Sequence, residues 1–397
     1  MEKFKVPETE IKTRLDRIQK KLQASDVDAM LVVQRVDLYY FTGTAQNGFL
    51  YIPAHGQPLL LIKKYMPRAL QETSIDNVAE IKSVKEIPGF IRDFYSTMPY
   101  TLGFEFDVLP VRDFNFYRQL FPNTKCVDVA PLIHATRMIK SEWEIARIKA
   151  SAQLSYKTFQ YIEKNLEPGI TEMEFSGMFE TFARRFGHAG KLRVRNYQTE
   201  GYPWHVLSGK SGGIIGLLDS PSSGEGTSSA FPCGAGHKKI LADEPVMIDL
   251  GSVINGYHFD ETRMFAINRM PDKALDACKA SIEIHNEVLE HVKPGVVLSE
   301  LFNFSVKKAA ALGYENQYLG SARHKVTFIG HGIGLELIEH PIIAKSKHTI
   351  AEPGMIFALE PKMVFKDEFA AGIESVFAVT TTGHMLLSQT PVKIFIV

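Results

Sequence analysis

The chain has 397 residues, of which 45% are hydrophobic and 23% are charged, close to the averages of roughly 45–50% and 25% for globular domains. This composition excludes a disordered or fibrous chain, and the length favours two or three domains. Lys plus Arg and Asp plus Glu both number 45, so the zero net charge argues against nucleic acid or an anionic membrane as a partner.

The first third of the chain alternates helix and strand signals. Ile11, Leu15, Ile18 and Leu22 recur at helical spacing, and residues 29–33 form an apolar run typical of a buried strand. Residues 48–62 predict a hairpin that turns near His55-Gly56, and residues 101–106 predict another strand. We therefore expect a small α/β domain over residues 1–139.

A long helix then opens the second predicted domain, residues 140–397. Residues 141–166 contain no Gly or Pro, and their apolar residues fall on one helical face. Pro168-Gly169 ends this helix. The change in composition predicts a domain boundary near residues 139–141.

The second domain contains a faint internal repeat. PGITEMEFSGMFETFARRFG, from Pro168, and PGVVLSELFNFSVKKAAALG, from Pro294, align without gaps and share apolar positions. Each predicts a turn followed by a helix that ends at a glycine. The likeness arises either by chance or because the domain consists of two related halves with a site between them.

Residues 208–229 are rich in Gly and Ser. Gly209-Lys210-Ser211 is not a phosphate-binding P-loop, because Trp204 stands where that motif requires an earlier glycine. We expect a mobile surface loop or active-site loop here.

Two aspartates lie in the segment IDLGSVINGYHFDETRMF. Asn255-Gly256 predicts a type I′ hairpin turn, which places Gly251 opposite Asp260 and Asp249 two residues along on the same face. Carboxylates that converge on an apolar hairpin repel each other unless a cation lies between them. The alternative is a pair of surface aspartates.

Three further residues could complete a metal site. His331 is bracketed by glycines in FIGHGIGLELIEHP, while Glu360 and Glu374 are single acids in apolar runs that contain no Lys or Arg. Four carboxylates and one imidazole suit two divalent ions such as Mn²⁺, Co²⁺, Fe²⁺ or Zn²⁺. Two such ions can activate one water molecule for hydrolysis.

Together these motifs resemble the pita-bread metallopeptidases, which include prolidase, aminopeptidase P, methionine aminopeptidase and the metal-free creatinase. Asp-x-Gly…Gly-Tyr-x-x-Asp-x-Thr-Arg, Gly-His-Gly-Ile-Gly-Leu-Glu, Glu-Pro and Ile-Glu match in order and approximate spacing. The resemblance covers nearly the whole chain, because VDLYYFTG and RMIKSEWEIARIKAS are similar to the creatinase-type N-terminal domain and its junction. It implies an α/β N-terminal domain and an α+β pita-bread C-terminal domain with pseudo-two-fold symmetry.

The same resemblance implies roles for individual residues. Two metal ions would be held by five residues, Asp249, Asp260, His331, Glu360 and Glu374. Asp260 and Glu374 would bridge both ions, and Glu360 would be the general base or acid. His331 would share in catalysis as a ligand, and the protein would form a homodimer.

Other positions depart from the family pattern. Ile338 stands where the family has a substrate-contacting histidine, Ala230-Phe231-Pro232-Cys233 lacks the histidine expected before the first aspartate, and Gly372 replaces a common arginine. His205, which matches His331 by the repeat offset, His340 and Tyr257 are candidate substrate contacts in compensation, and a structural role is the alternative for each.

Three functions remain open from the sequence. The complete ligand set favours a dinuclear metallohydrolase of the Xaa-Pro dipeptidase or aminopeptidase P type, acting on a short peptide or small amide. The missing histidines favour a metal-dependent lyase or an amidohydrolase of non-peptide substrates on the same fold. A non-catalytic binding module is the third.

The cysteine spacing and the hydropathy of the chain predict its cellular compartment. Cys126, Cys233 and Cys278 are widely separated and form no CxxC motif, which argues against a disulfide framework or a thiolate zinc site. The charged N-terminus lacks a signal core, and no run approaches the ~20 apolar residues of a membrane helix. We therefore expect a cytoplasmic protein.

Overall fold

The computed structural model describes residues 4–195, 201, 204–216 and 220–397. The chain divides into two compact units, Met1–Arg137 and Met138–Val397. Within the described ranges, no helix combines the length and the apolar character needed to cross a bilayer.

The first unit is an α/β structure around a sheet with strand order β4-β3-β2-β1-β5-β6. Its strands are β1 Ala29–Val32, β2 Gly48–Pro53, β3 Leu59–Ile62, β4 Val78–Glu80, β5 Thr101–Phe104 and β6 Lys125–Asp128. Its α-helices are α1 Glu8–Ala24, α2 Arg35–Thr42, α3 Met66–Glu72, α4 Ile87–Tyr95, α5 Val111–Leu120 and α6 Ala130–Arg137.

Local sequence signals account for these elements. The apolar face predicted for the first helix is the buried face of α1, and β2 and β3 form the predicted antiparallel hairpin, with Gly56 at a φ of 105° in its turn. β1 pairs antiparallel with β2 and parallel with β5, so the sheet is mixed. The predicted α/β class of this unit is confirmed.

The second unit combines long helices with several small sheets. Its α-helices are α7 Glu142–Asn165, α8 Glu172–Arg185, α9 Asp272–His291 and α10 Leu298–Ala311. Its strands are β7 Trp204–Ser208, β8 Val246–Ile254, β9 Tyr257–Ala266, β10 Phe328–Gly332, β11 Glu339–Ala344, β12 Ile356–Leu359, β13 Lys362–Phe365, β14 Phe369–Gly372, β15 Ser375–Val379, β16 His384–Leu386 and β17 Ile394–Ile396.

The helix that opens this unit has a clear start signal. The Ser141 side chain accepts a hydrogen bond from the Glu144 backbone N–H, and the Glu144 carboxylate accepts one from the Ser141 N–H, which together form a capping box. Ile145, Ile148 and Ile162 lie on the buried face of α7, as predicted.

The two halves of this unit share one strand order. β7 pairs with β8 and β8 with β9, while β10 pairs with β12 and β12 with β15, all antiparallel. Each repeated segment forms a helix, α8 or α10, and the glycines before and after each have positive φ. This correspondence favours related halves over chance similarity.

The β8–β9 hairpin has the predicted register. Ile254 lies opposite Tyr257 and Gly251 opposite Asp260, and both turn residues have positive φ, 53° for Asn255 and 87° for Gly256. A side chain at Gly251 would meet Leu192, whose Cδ1 lies 2.9 Å from the position of a Cβ. Leu192 therefore fills the space beside Gly251.

The Gly/Ser-rich segment is packed over much of its described length, whereas residues 227–229 are exposed. Residues 217–219 lie outside the described residues. Ser208, Ser211 and Ser222 are buried; Ser208 and Ser211 donate hydrogen bonds to Glu172, and Ser222 donates one to the Gly212 carbonyl. These three serines therefore do not lie on a surface loop, and the alternative of an active-site loop stays a prediction.

Candidate metal centre

Three donor side chains from three strands of the second unit meet. Asp260 on β9, His331 on β10 and Glu374 just before β15 offer ligand atoms that all lie within 4.8 Å of one another, and all three are buried. His331 Nε2 lies 4.0 Å from Asp260 Oδ2, 4.0 Å from Glu374 Oε1 and 3.7 Å from Glu360 Oε1. Such separations suit ligands of one ion with bonds of about 2.0–2.2 Å.

Two observations test whether this group fits a divalent ion. His331 Nδ1 lies 3.1 Å from the Gly332 carbonyl, so a proton on Nδ1 leaves the Nε2 lone pair toward the carboxylates, as in many metal-bound histidines. Glu374 Oε1 is buried and has no hydrogen-bond partner among the described residues. A buried carboxylate oxygen without a partner is costly, and a cation beside it would remove that cost. The residues therefore fit a metal ion.

A lysine lies among the remaining carboxylates. Lys362 Nζ lies 2.9 Å from Asp249 Oδ2, 2.9 Å from Glu360 Oε2 and 3.1 Å from Glu374 Oε2, and the residue is 3% exposed. The apolar runs around Glu360 and Glu374 contain no Lys or Arg, as noted from the sequence. Lys362 lies outside these runs, just beyond Pro361, and points back into the site.

Strand pairing holds this lysine in position. Lys362 lies opposite Gly372 in the β13–β14 pair, and its carbonyl accepts a hydrogen bond from the Leu319 N–H. A Cβ on Gly372 would lie 2.6 Å from Lys362 Cγ, closer than real side chains approach. The absence of a side chain at Gly372, where the family commonly has an arginine, therefore makes room for the lysine stem.

The electrostatics divide the carboxylates into two groups. Burial acts to raise the pKa of Asp249, but the Lys362 ammonium holds that pKa below its usual value. Burial, with the charges of Glu374 and Asp249, raises the pKa of Asp260 well above its ordinary value. Burial, with Glu360 and Asp249 and against Lys362, raises the pKa of Glu374 to about 8. Lys362 thus compensates Asp249 but leaves Asp260 and Glu374 short of positive charge.

The five predicted ligands therefore do not form one equivalent set. Asp260, His331 and Glu374 form the compact group, and Glu360 borders it through Oε1. Asp249 does not belong to that group, and its Oδ2 accepts a hydrogen bond from Lys362. Burial acts to lower the pKa of Lys362, but Asp249, Glu360 and Glu374 hold that pKa well above its usual value. The structure thus gives Asp249 a lysine partner, and its role as a metal ligand stays a prediction.

Two further residues support Glu374 and were not predicted. Thr262 Oγ1 donates a 2.8 Å hydrogen bond to Glu374 Oε2, and the buried Arg263 donates one of 2.5 Å to the Glu374 carbonyl. Both belong to the Asp-x-Thr-Arg motif that was used only for its aspartate. The motif therefore also positions the glutamate that comes from a distant strand.

His205 lies beside the carboxylates. It is opposite Asp249 in the β7–β8 pair, and burial lowers the pKa of its imidazole although the Asp249 charge acts to raise it. A Cβ on Gly234 would lie 3.9 Å from its Cδ2. The preceding residue, Cys233, is buried, and burial raises the pKa of its thiol. An imidazole therefore lies near the segment from which the family histidine is missing.

The other two candidate substrate contacts differ from each other. Ile338 and His340 are exposed on either side of buried Glu339, so both side chains leave the chain on the same side. Tyr257 is fully buried, and its hydroxyl donates a 3.1 Å hydrogen bond to Glu144 of α7. Because Tyr257 alternates with Asp260 along β9, it lies on the opposite face, so this geometry does not support its predicted role as a substrate contact, which stays a prediction.

Comparison with known families agrees with this architecture. A family model described as metallopeptidase family M24 matches residues 146–381, and one described as creatinase/prolidase N-terminal domain matches residues 14–139. The Xaa-Pro dipeptidase of Pyrococcus furiosus is 24% identical over 387 residues, which covers 96% of this chain and 99% of that protein.

Solved structures show the same fold. An Xaa-Pro dipeptidase from Bacillus anthracis has a TM-score of 0.83 at 22% identity, covering 98% of this chain and 100% of that one. An X-Pro aminopeptidase from Thermotoga maritima has a TM-score of 0.80 at 22% identity, covering 96% and 99%. Because the M24 match extends over more than half of the sequence, the chain belongs to metallopeptidase family M24, with a creatinase/prolidase N-terminal domain.

Proposed function

We propose that this chain is a metal-dependent hydrolase that cleaves a peptide or amide bond, with Xaa-Pro peptides as its substrate class. The observation that carries the proposal is the convergence of Asp260, His331 and Glu374, with one buried oxygen of Glu374 unpaired among the described residues. Relatives named Xaa-Pro dipeptidase support the substrate class. A binding module without catalysis does not account for such a buried donor group.

We assign separate roles in hydrolysis to the ion and to the residues around it. A bound Mn²⁺, Co²⁺, Fe²⁺ or Zn²⁺ would supply an activated water molecule and a polarised carbonyl. Glu360 is the general base in this proposal, because Oε1 borders the donor group while Oε2 is held by Lys362. Glu360 Oε1 would take the proton of the water and pass it to the leaving amine. His331, oriented by the Gly332 carbonyl, would bind the ion through Nε2.

The first test is hydrolysis by the wild-type protein. The protein should be stripped with a chelator, resupplied separately with Mn²⁺, Co²⁺, Fe²⁺ or Zn²⁺, and assayed on Xaa-Pro dipeptides, longer peptides with proline second, and dipeptides without proline. We expect cleavage of the proline peptides only after an ion is added. Cleavage that is unaffected by complete removal of metal would contradict the proposal.

A second function has its own support. Ile338, which is 42% exposed, cannot act as an acid or base where the family has a histidine, and Cys233 is buried in the segment where another histidine is expected. These changes favour a metal-dependent lyase or an amidohydrolase of non-peptide substrates. Bound metal without cleavage of any peptide would favour this second function.

Cellular context completes the proposal. We propose a cytoplasmic homodimer that uses Mn²⁺, as the family resemblance and the cysteine pattern suggest. Size-exclusion chromatography with light scattering on the full chain would measure the oligomeric state.

His205 should be required for turnover. Replacing His205 with glutamine removes the imidazole beside Asp249, and we expect kcat/KM on the best proline peptide to fall by about 10²–10⁴-fold, the usual cost of lost acid–base assistance. Metal content and melting temperature should not change. The matched control is His348→Gln, because His348 is exposed and belongs to no predicted site. Equal activity of the two variants would exclude a role for His205.

A further inference from the structure

The Lys362 ammonium lies between three carboxylates whose negative charges require a nearby cation. Its Nζ is within 3.1 Å of one oxygen from each of Asp249, Glu360 and Glu374. Each of these is a carboxylate oxygen of the kind that binds a divalent ion, and Glu374 Oε2 also accepts a hydrogen bond from Thr262 Oγ1. The ammonium therefore occupies the carboxylate oxygens on one side of the cluster, where it donates hydrogen bonds to them.

The same carboxylates present their second oxygens to the other side. Glu360 Oε1 and Glu374 Oε1 lie 3.7 and 4.0 Å from His331 Nε2, while their Oε2 atoms contact the lysine. Asp260 Oδ2 completes this second side. The cluster thus has two cation positions, one beside Lys362 and one beside His331.

We infer that Lys362 takes the place of one metal ion, so that the centre binds a single divalent ion at Asp260, His331 and Glu374. The inference rests on the proposed metal-dependent hydrolase and replaces the two ions expected from the sequence. In it, Glu374 connects the ammonium to the ion, Glu360 Oε1 borders the ion as the general base, and Asp249 contacts the lysine and not the ion.

A second ion beside Asp249 would conflict with the lysine. It would have to bond at about 2.0–2.2 Å to the same oxygens that already accept hydrogen bonds from Nζ, which would place two cations almost in contact. The lysine has little freedom to leave, because its stem passes over Gly372 and the residue is 3% exposed. Three positive charges from one ion and the ammonium also nearly balance the four carboxylates.

Metal stoichiometry tests the inference directly. The full chain, saturated with Mn²⁺ and freed of excess by gel filtration, should contain one Mn²⁺ per chain by mass spectrometry. Its low-temperature electron paramagnetic resonance spectrum should be that of an isolated ion. Lys362→Ala should bind two Mn²⁺ ions with a spin-coupled spectrum, whereas the control Lys273→Ala, which removes an exposed lysine paired with Glu368, should still bind one.

A second pair of variants does not depend on the folding of Lys362→Ala. Asp249→Asn should retain one Mn²⁺ per chain, because Asp249 contacts the lysine, whereas Asp260→Asn should retain none. Two Mn²⁺ ions in the wild type, or loss of the ion from Asp249→Asn, would overturn the inference and leave metal-dependent hydrolysis intact. A wild type that binds no ion of the four metals would overturn the proposed function as well.

Discussion

Asp260→Asn is expected to abolish binding of the divalent ion and to lower kcat/KM by at least about a thousandfold. Asp260 is one of three residues in the compact donor group, and its carboxylate is replaced by a neutral amide of similar size. A catalytic ion contributes several kcal/mol of transition-state stabilisation, and each ~1.4 kcal/mol corresponds to tenfold in rate. Metal content and hydrolysis of the best proline peptide, measured on the same samples, check the prediction.

The same substitution should not destabilise the metal-free protein. Burial and the neighbouring charges of Glu374 and Asp249 raise the pKa of Asp260, so its charged form is disfavoured without an ion. Asparagine is neutral and carries neither that repulsion nor the cost of taking up a proton, so the metal-free variant should melt at or above the temperature of the metal-free wild type. A variant that melts lower and has also lost activity would indicate a structural role for Asp260 instead.

Local turn chemistry explains why half of the site could be predicted from sequence. Asn255-Gly256 specifies a two-residue hairpin turn, and that turn sets the pairing of every residue in β8 and β9. Asp249 and Asp260 therefore face the same side, as predicted. Bracketing glycines at His331 and single acids in apolar runs at Glu360 and Glu374 indicated the other three residues, and the family motifs agreed. These residues lie in or beside different strands that no local rule brings together.

The lysine could not be found by the same reasoning. Lys362 meets Asp249 across 113 positions of sequence, and that contact depends on how β13 and β14 pair with each other and pack beside β8. A search for charges inside apolar runs misses a residue that follows a proline and begins a new strand. Gly372 in place of the family arginine could have indicated the buried lysine, because a glycine opposite Lys362 leaves room for the lysine stem.

Lys362→Ala should lower the melting temperature of the metal-free protein, whereas Asp260→Asn should not. Without metal, Lys362→Ala leaves the buried Glu360 and Glu374 and the half-buried Asp249 beside one another with no cation. Removal of one partner from a buried ion pair typically costs about 3–5 kcal/mol. We therefore expect a clear fall in the melting temperature of the metal-free variant. Added Mn²⁺ should restore most of the loss, because an ion can then take the place of the ammonium.

The matched control is Lys140→Ala. Lys140 forms another buried ion pair, with Nζ 3.2 Å from Glu339 Oε2, and it should also lose stability when truncated. Mn²⁺ should not rescue it beyond the gain seen in the wild type, because the compact donor group is unchanged. If Mn²⁺ raised the melting temperatures of both lysine variants equally, the rescue would be a general effect of the ion. A rescue confined to Lys362→Ala would mean that this ammonium and a divalent ion compete for one position among the same carboxylates.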